Sequence, residues 1–235
     1  MPLFLKRNYN ICNKILCQAP IETMKRNYLM FHTMAPELAI EDLKRDSCTE
    51  EVTIEKEYNI IMRLFISINL SQEIKETLIN LQNDWYDLGV RGNYSSEENL
   101  HLTLAFIGEY LDSMPVMNAL QSVTFAPIPL QLEGIGAFGN LWWAGVTYSP
   151  ALEAVAKRIR RALAEKPIPF DKKKFNPHIT LLRRASVDRI PSANFETASM
   201  TVNTISLMRS DRGKDGMIYT EVGSIQAKSS DSPDD

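Results

Sequence analysis

Two tetrapeptides far apart in this chain share one pattern: His101-Leu102-Thr103-Leu104 and His178-Ile179-Thr180-Leu181. They hold two of the three histidines present, and with thirteen threonines among 235 residues the coincidence has odds of roughly one in a hundred. Both copies lie in runs that read as strands, where alternate side chains point to opposite faces. Leu102 with Leu104, and Ile179 with Leu181, then anchor each strand in a core, while His101 with Thr103 and His178 with Thr180 project to the other side. Each copy is also preceded by a strand and a helical segment, once before residue 108 and again after residue 140. A chain built this way is expected to form two related lobes that face one another, with two imidazoles and two hydroxyls in the shared cleft.

The periodicity that frames this repeat begins abruptly at Met62. MRLFISINL reads as a buried strand with Leu64, Ile66 and Ile68 on one face and Phe65 on the other. Ser71 then offers an N-cap, and Ile74, Leu78, Leu81, Trp85 and Leu88 recur at helical spacing until Gly89. Further strands are expected near 99–107, 128–135, 141–148, 178–183, 201–209 and 217–225, with a short helix near 115–123. Ser149 and Pro150 open a second long helix whose apolar stripe is Leu152, Val155, Ile159 and Leu163. Irregular alternation of helices and hairpin-linked strands favours an α+β domain with outer helices on mainly antiparallel sheet. The expected organisation is an extension over 1–61, poorly ordered or read from an upstream start, then the domain over 62–228 and a disordered acidic tail over 229–235.

Composition narrows the class further. With 44% hydrophobic and 23% charged residues the chain sits among ordinary globular proteins. No run of about eighteen uncharged apolar residues occurs, so a membrane-spanning helix is not expected, and the N-terminus lacks the continuous apolar core of a secretory signal. Cys12, Cys17 and Cys48 all precede residue 50, so the main body has no thiols for a disulfide framework, which suits a reducing compartment and a cytoplasmic location. The spacing of these cysteines and the nearby His32 does not make a zinc site. Between Glu153 and Lys214 stand 14 basic and 6 acidic residues, including Lys157, Arg158, Arg160 and Arg161 on the outer face of the second long helix. Converging charges there would attract phosphates, though charge alone favours a solvated face.

Two imidazoles across a cleft suit a reaction that removes one proton and supplies another. Histidine titrates near pH ~6.5 when unperturbed, so one ring can act as base and the other as acid around neutrality. Threonine hydroxyls can hold phosphoryl oxygens without adding charge. No carboxylate cluster with magnesium spacing and no Gly-rich Lys-Ser/Thr loop accompanies them, so metal-free attack of water on a phosphodiester is the expected chemistry.

These residues resemble the 2H phosphoesterase superfamily, and within it the branch named RNA 2′,3′-cyclic phosphodiesterase or 2′-5′ RNA ligase. The resemblance runs from about 62 to 226 through MRLFISI, ENLHLTLAFIGE, WWAGV, FNPHITLLRR, ISLMRS and GMIY. It implies a bilobal fold with pseudo-twofold symmetry, a catalytic pair His101 and His178, and phosphate binding by Thr103 and Thr180. It also implies opening of a 2′,3′-cyclic phosphate at an RNA 3′ end to a 2′-phosphate without a metal or nucleotide cofactor; a monomer is expected. Reversible 2′-5′ ligation and an RNA-binding module that no longer turns over are the competing readings. Arg183 matches the basic residue that follows the second motif in the family, whereas strand parity groups 178, 180, 182 and 184 and so favours Arg184 unless a bulge intervenes. Phe138, Trp142 and Trp143 offer places for bases to stack, with core packing expected for at least one tryptophan. Tyr219 and Phe175 also match family positions and are read first as structural. The family's bulky and basic residues before the first motif are replaced here by RGNYSSEEN, with Tyr94 the nearest aromatic.

Overall fold

The computed structural model describes residues 61–191, 196–214 and 216–228. The expectations for 1–60 and 229–235, including all three cysteines and His32, fall outside these residues. Strand β1 (Met62–Asn69) leads into helix α1 (Gln72–Asp87), a short strand β2 (Asn93–Tyr94), a single 3-10 turn (Glu97–Asn99) and strand β3 (His101–Tyr110). Helix α2 (Ser113–Gln121), strands β4 (Ile128–Phe138) and β5 (Leu141–Val146), helix α3 (Pro150–Glu165) and strands β6 (His178–Arg183), β7 (Ser199–Val202), β8 (Thr204–Arg212) and β9 (Met217–Gln226) follow.

The helix ends obey capping chemistry. Ser71 accepts from the Ile74 N–H and Ser149 from the Leu152 N–H, so each long helix starts where a hydroxyl can satisfy a free backbone donor. Gly89, at φ 87°, turns the chain out of α1 through the left-handed region that a side chain disfavours. Leu88 is the cap of that helix and 60% exposed, so the apolar stripe ends one turn earlier than its spacing suggests. Asp112 caps α2, which starts two residues before the sequence expectation.

The strand order β7-β4-β5-β6-β3-β1-β8-β9 is palindromic about the seam between β6 and β3, with β2 added beside β6. Strand β3 answers β6, β1 answers β5, β8 answers β4 and β9 answers β7, while α1 and α3 connect the equivalent strands. The two expected lobes are therefore the two halves of one curled antiparallel sheet. At the seam β3 and β6 meet at a single backbone pair, Leu102 with Ile179, and β2 beside β6 also ties the halves together. The expected strand 201–209 is in fact two strands in different lobes: β7 pairs with β4 and β8 with β1, the chain crossing over at Asn203. Hydrophobicity is continuous through that crossing, so nothing local marks it.

One apolar core lies between the sheet and the long helices. Leu64, Ile66 and Ile68 of β1, Leu102 and Leu104 of β3, and Ile179 and Leu181 of β6 are wholly buried. Trp85 of α1 meets Trp142 of β5 edge to face with centroids 5.1 Å apart. With the core on this side, the alternate residues of β3 and β6 face the other way.

Candidate active site

Antiparallel pairing at Leu102 and Ile179 sets Thr180 across from His101 and Thr103 across from His178, since opposed residues share a face. All four are half-buried between wholly buried neighbours. The seam thus brings His101, Thr103, His178 and Thr180 onto one surface of the sheet.

Each imidazole is oriented by the same device. His101 Nδ1 lies 2.7 Å from the Asn99 carbonyl and His178 Nδ1 lies 2.8 Å from the Asn176 carbonyl. A carbonyl only accepts, so Nδ1 carries the proton in both rings and Nε2 is the exchangeable nitrogen. His101 Nε2 accepts from the Thr103 hydroxyl at 3.1 Å. The asparagine two places before each histidine was a legible second repeat, Asn-x-His-x-Thr-Leu, although its part is played by the backbone.

Aromatic rings flank both histidines. Phe65 (4.9 Å) and Tyr219 (5.2 Å) contact His101, whereas Phe138 (5.3 Å) and Trp143 (6.3 Å) contact His178. Trp142 lies in the core and Trp143, opposite Thr180, on the cleft side. Its indole lies flat over Gly136, where a Cβ would run into the ring. Burial is the main influence on His101 and lowers its pKa from 6.5; the Asn99 hydrogen bond opposes this, while the charges of Arg183 and His178 lower it further. That Arg183 and His178 both act on His101 fits their convergence from the opposite lobe.

A bulge decides which arginine shares the face of the histidines. Along β6, Trp143 pairs with Thr180 and Trp142 with Leu182, leaving Leu181 as the extra residue. Leu181 and Leu182 are both buried, so parity reverses and Arg183 returns to the histidine side. Arg184 lies beyond the strand at φ 56°. Strand β3 has the same irregularity: Ser67 pairs with Thr103 and Ile66 with Ala105, leaving Leu104 over. The bulged residue is the fourth of the motif in both lobes.

Sequence reasoning did not find the polar residues beside His101. Asn69 pairs with His101 in register, Ser67 with Thr103, and Ser206 with Ser67. Ser206 donates to Glu221 at 2.8 Å, and Asn69 approaches the same carboxylate oxygen at 3.4 Å. The RGNYSSEEN segment is tied to the second motif: β2 pairs with β6, and the Ser95 hydroxyl donates to the Thr180 carbonyl at 2.8 Å. Phe175 sits outside the cleft, under the Arg160 guanidinium. Among the described residues no group of three histidine, cysteine or carboxylate side chains is placed to hold a metal ion, and no helix is long and apolar enough to cross a membrane.

Comparison with known proteins agrees with this geometry. The family model described as 2'-5' RNA ligase superfamily matches residues 83–214, a span that holds both motifs. A protein of Aquifex aeolicus named RNA 2',3'-cyclic phosphodiesterase is 29% identical over 180 residues, covering 69% of this chain and 95% of its own. The protein of that name from Escherichia coli is 31% identical over 164 residues, covering 67% and 92%. Crystal structures of E. coli LigT in apo form and complexed with 3'-AMP superpose with TM-scores of 0.64 and 0.65 at 28% identity, each covering 72% of this chain and 99% of LigT. Matched over more than half its length and folded as LigT is, the chain belongs to the 2′-5′ RNA ligase superfamily and has the 2H phosphoesterase fold.

Proposed function

We propose that this protein hydrolyses 2′,3′-cyclic phosphates at RNA 3′ ends to 2′-phosphates, with His101 and His178 as paired acid and base. The observation that carries the reading is the seam: one backbone pair, Leu102 with Ile179, sets two pinned imidazoles and two threonines on a common surface. Curated relatives bearing the name RNA 2',3'-cyclic phosphodiesterase support the substrate class.

In this mechanism the cyclic phosphate lies between the rings. One Nε2 takes a proton from water as its oxygen attacks phosphorus, while the other ring gives a proton to the departing O3′. The P–O3′ bond breaks, and the phosphate stays on O2′. Thr103, Thr180 and Arg183 hold the non-bridging oxygens, where charge builds as the water adds. The ring that lost its proton and the ring that gained one exchange through solvent before the next turnover. The carbonyls of Asn99 and Asn176 suit both parts, because an Nδ1–H bond to a carbonyl persists whether Nε2 is bare or protonated. The two imidazoles perform both proton transfers, so the step needs no metal-bound hydroxide.

The test is incubation of the purified protein with an oligonucleotide ending in a 2′,3′-cyclic phosphate, in the presence of chelator, followed by identification of the phosphate position. A 2′-phosphate is expected. His101→Ala and His178→Ala should each lower the rate by roughly 10² to 10⁴ while the fold is retained. Near-normal turnover in either folded variant refutes the assignment. A 3′-phosphate product overturns the proposed regiochemistry.

A further inference from the structure

Outside the cleft, a hollow of about 430 Å³ opens where α3 begins, lined by Tyr148, Pro150, Glu153, Ala154, Lys157, Arg160, Lys174 and Phe175. Its composition is unlike that of a merely solvated helix face. Tyr148 is 70% exposed, an aromatic ring held at a surface where burial does not account for it. Lys157 and Lys174 form no ion pair with a carboxylate among the described residues. Arg161, by contrast, pairs with Glu165 at 2.9 Å on the same helix. The basic run of α3 therefore divides: Arg161 is engaged along the helix, while Lys157 and Arg160 lean over the hollow. The hollow combines aromatic and aliphatic walls, cations on the rim and one carboxylate, Glu153.

We propose that this hollow binds a nucleotide of the single-stranded RNA body upstream of the cyclic-phosphate end. This rests on the reading of the cleft given above. Each component matches part of such a ligand. Tyr148 provides a ring face for a base beside the apolar wall of Phe175, Lys157 and Lys174 attract the adjoining phosphates, and Glu153 can accept from an exocyclic amine. A bare anion would gain nothing from the rings and would be repelled by Glu153. An acidic peptide would match the lysines but not the carboxylate.

Position supports the same ligand. Phe175 is followed by Asn176, whose carbonyl holds the His178 ring. Three residues of chain span at most about 11 Å, so the hollow and the second histidine lie within reach of one short oligonucleotide. Arg160 reinforces the link, since its guanidinium donates to the Lys173 carbonyl at 2.7 Å and to the Leu104 carbonyl at 3.3 Å. One wall of the hollow is thus braced against the first motif strand and against the segment that leads into the second.

The test uses the full chain and a fluorescein-labelled hexanucleotide with an ordinary 3′-hydroxyl, so that binding is read without turnover. In fluorescence anisotropy, the double variant Lys157→Ala/Lys174→Ala should bind roughly tenfold more weakly. The slope of log K against log salt should shrink by about 1.4, at ~0.7 per lost phosphate contact on a single strand. Tyr148→Ala should weaken binding about fivefold or more with the salt slope unchanged, as expected for lost stacking. Turnover of a 2′,3′-cyclic mononucleotide, which has no upstream nucleotide to seat in the hollow, should be unaltered in all three substitutions. Unchanged affinity and slope for the hexanucleotide overturn the proposal, as does displacement of the RNA from the wild type but not the double variant by polyglutamate with no dependence on Tyr148. If hexanucleotide binding falls as stated but the wild type opens no cyclic phosphate, the hollow stands and the hydrolase reading fails. If cyclic phosphates are opened normally and the variants bind RNA like the wild type, the reverse holds.

Discussion

Gln82 and Arg160 are equivalent residues, each the eleventh after the cap serine of its helix, and each reaches into the seam to bond the carbonyl of the bulged leucine in a motif strand. Gln82 donates to the Leu181 carbonyl at 2.9 Å and to the Ser95 carbonyl at 3.0 Å. Arg160 donates to the Leu104 and Lys173 carbonyls. A bulge takes its residue out of regular ladder pairing, and each helix provides a side-chain donor to the carbonyl there, which at Leu181 also accepts from the Ser95 N–H. The two helices therefore hold the bulges that set the parity of both motif strands.

Replacing Gln82 by leucine removes a buried donor from two carbonyls. The expected loss is about 1 to 2 kcal/mol in urea unfolding, limited because the Ser95 N–H still bonds Leu181. Turnover should fall as well, since the strand bearing His178 loses its brace. Glutamate at this position should be worse than leucine, because it replaces the donor with a second acceptor.

Arg183 and Arg184 should separate cleanly in kinetics. Arg183→Met should raise KM for a cyclic nucleotide by about tenfold or more, as a charge-assisted contact to phosphate is lost. Arg184→Ala should change KM less than twofold. Arg184→Gly should also leave stability equal or slightly raised, because glycine adopts φ 56° without the penalty of a side chain. Comparable KM effects from the two arginines would contradict the parity reversal at Leu181.

Stability should depend on His101 as pH falls. Its folded pKa lies below 6.5, so between that value and 6.5 the unfolded chain binds more protons than the native one. Stability then rises with pH through the window and is lost as pH drops below 6.5 toward the folded value. His101→Gln should flatten this dependence in unfolding experiments at pH 5 to 7. NMR titration of the wild type should place the ring below 6.5, and bound 2′-AMP should move it upward, since a phosphate anion stabilises imidazolium. A ring that titrates above 6.5 in the free protein contradicts the burial argument.

Gly136→Ala probes the slot for Trp143. The added methyl collides with the indole, which must tilt away from Gly136 and shift against His178. The expected result is altered tryptophan fluorescence and a severalfold rise in KM, with unfolding free energy lowered by about 1 to 3 kcal/mol from overpacking. Unchanged fluorescence and KM would mean that the ring has other room.

Local patterns carried much of this in the sequence. Alternation in His-x-Thr-Leu separates core from cleft side chains, and serine caps with helical stripes mark α1 and α3, because capping and burial act over a few neighbouring residues. What stayed hidden depends on pairing partners. The bulges at Leu104 and Leu181 exist only relative to Ser67 and Trp143 on adjacent strands, so period-two parity from the motif alone points to Arg184. The division at Asn203 is a change of sheet neighbour with no change in hydrophobicity. Asn99 and Asn176 repeat visibly, but a carbonyl's part is not written in a side chain. The Gln82 and Arg160 pair is concealed by its chemistry, since glutamine and arginine share no pattern until their carbonyl partners are seen.

Strands β3 and β6 meet at one bridge pair, Leu102 and Ile179, and further backbone links between the halves run through β2 and the Asp171–Phe106 bond. At that point the gap that a phosphorus atom must bridge is governed by how well two aliphatic side chains and their neighbours fill volume as much as by amide bonds. Trimming Ile179 to valine, a change made entirely in hydrocarbon, would adjust the reach between two reactive nitrogens that it never touches.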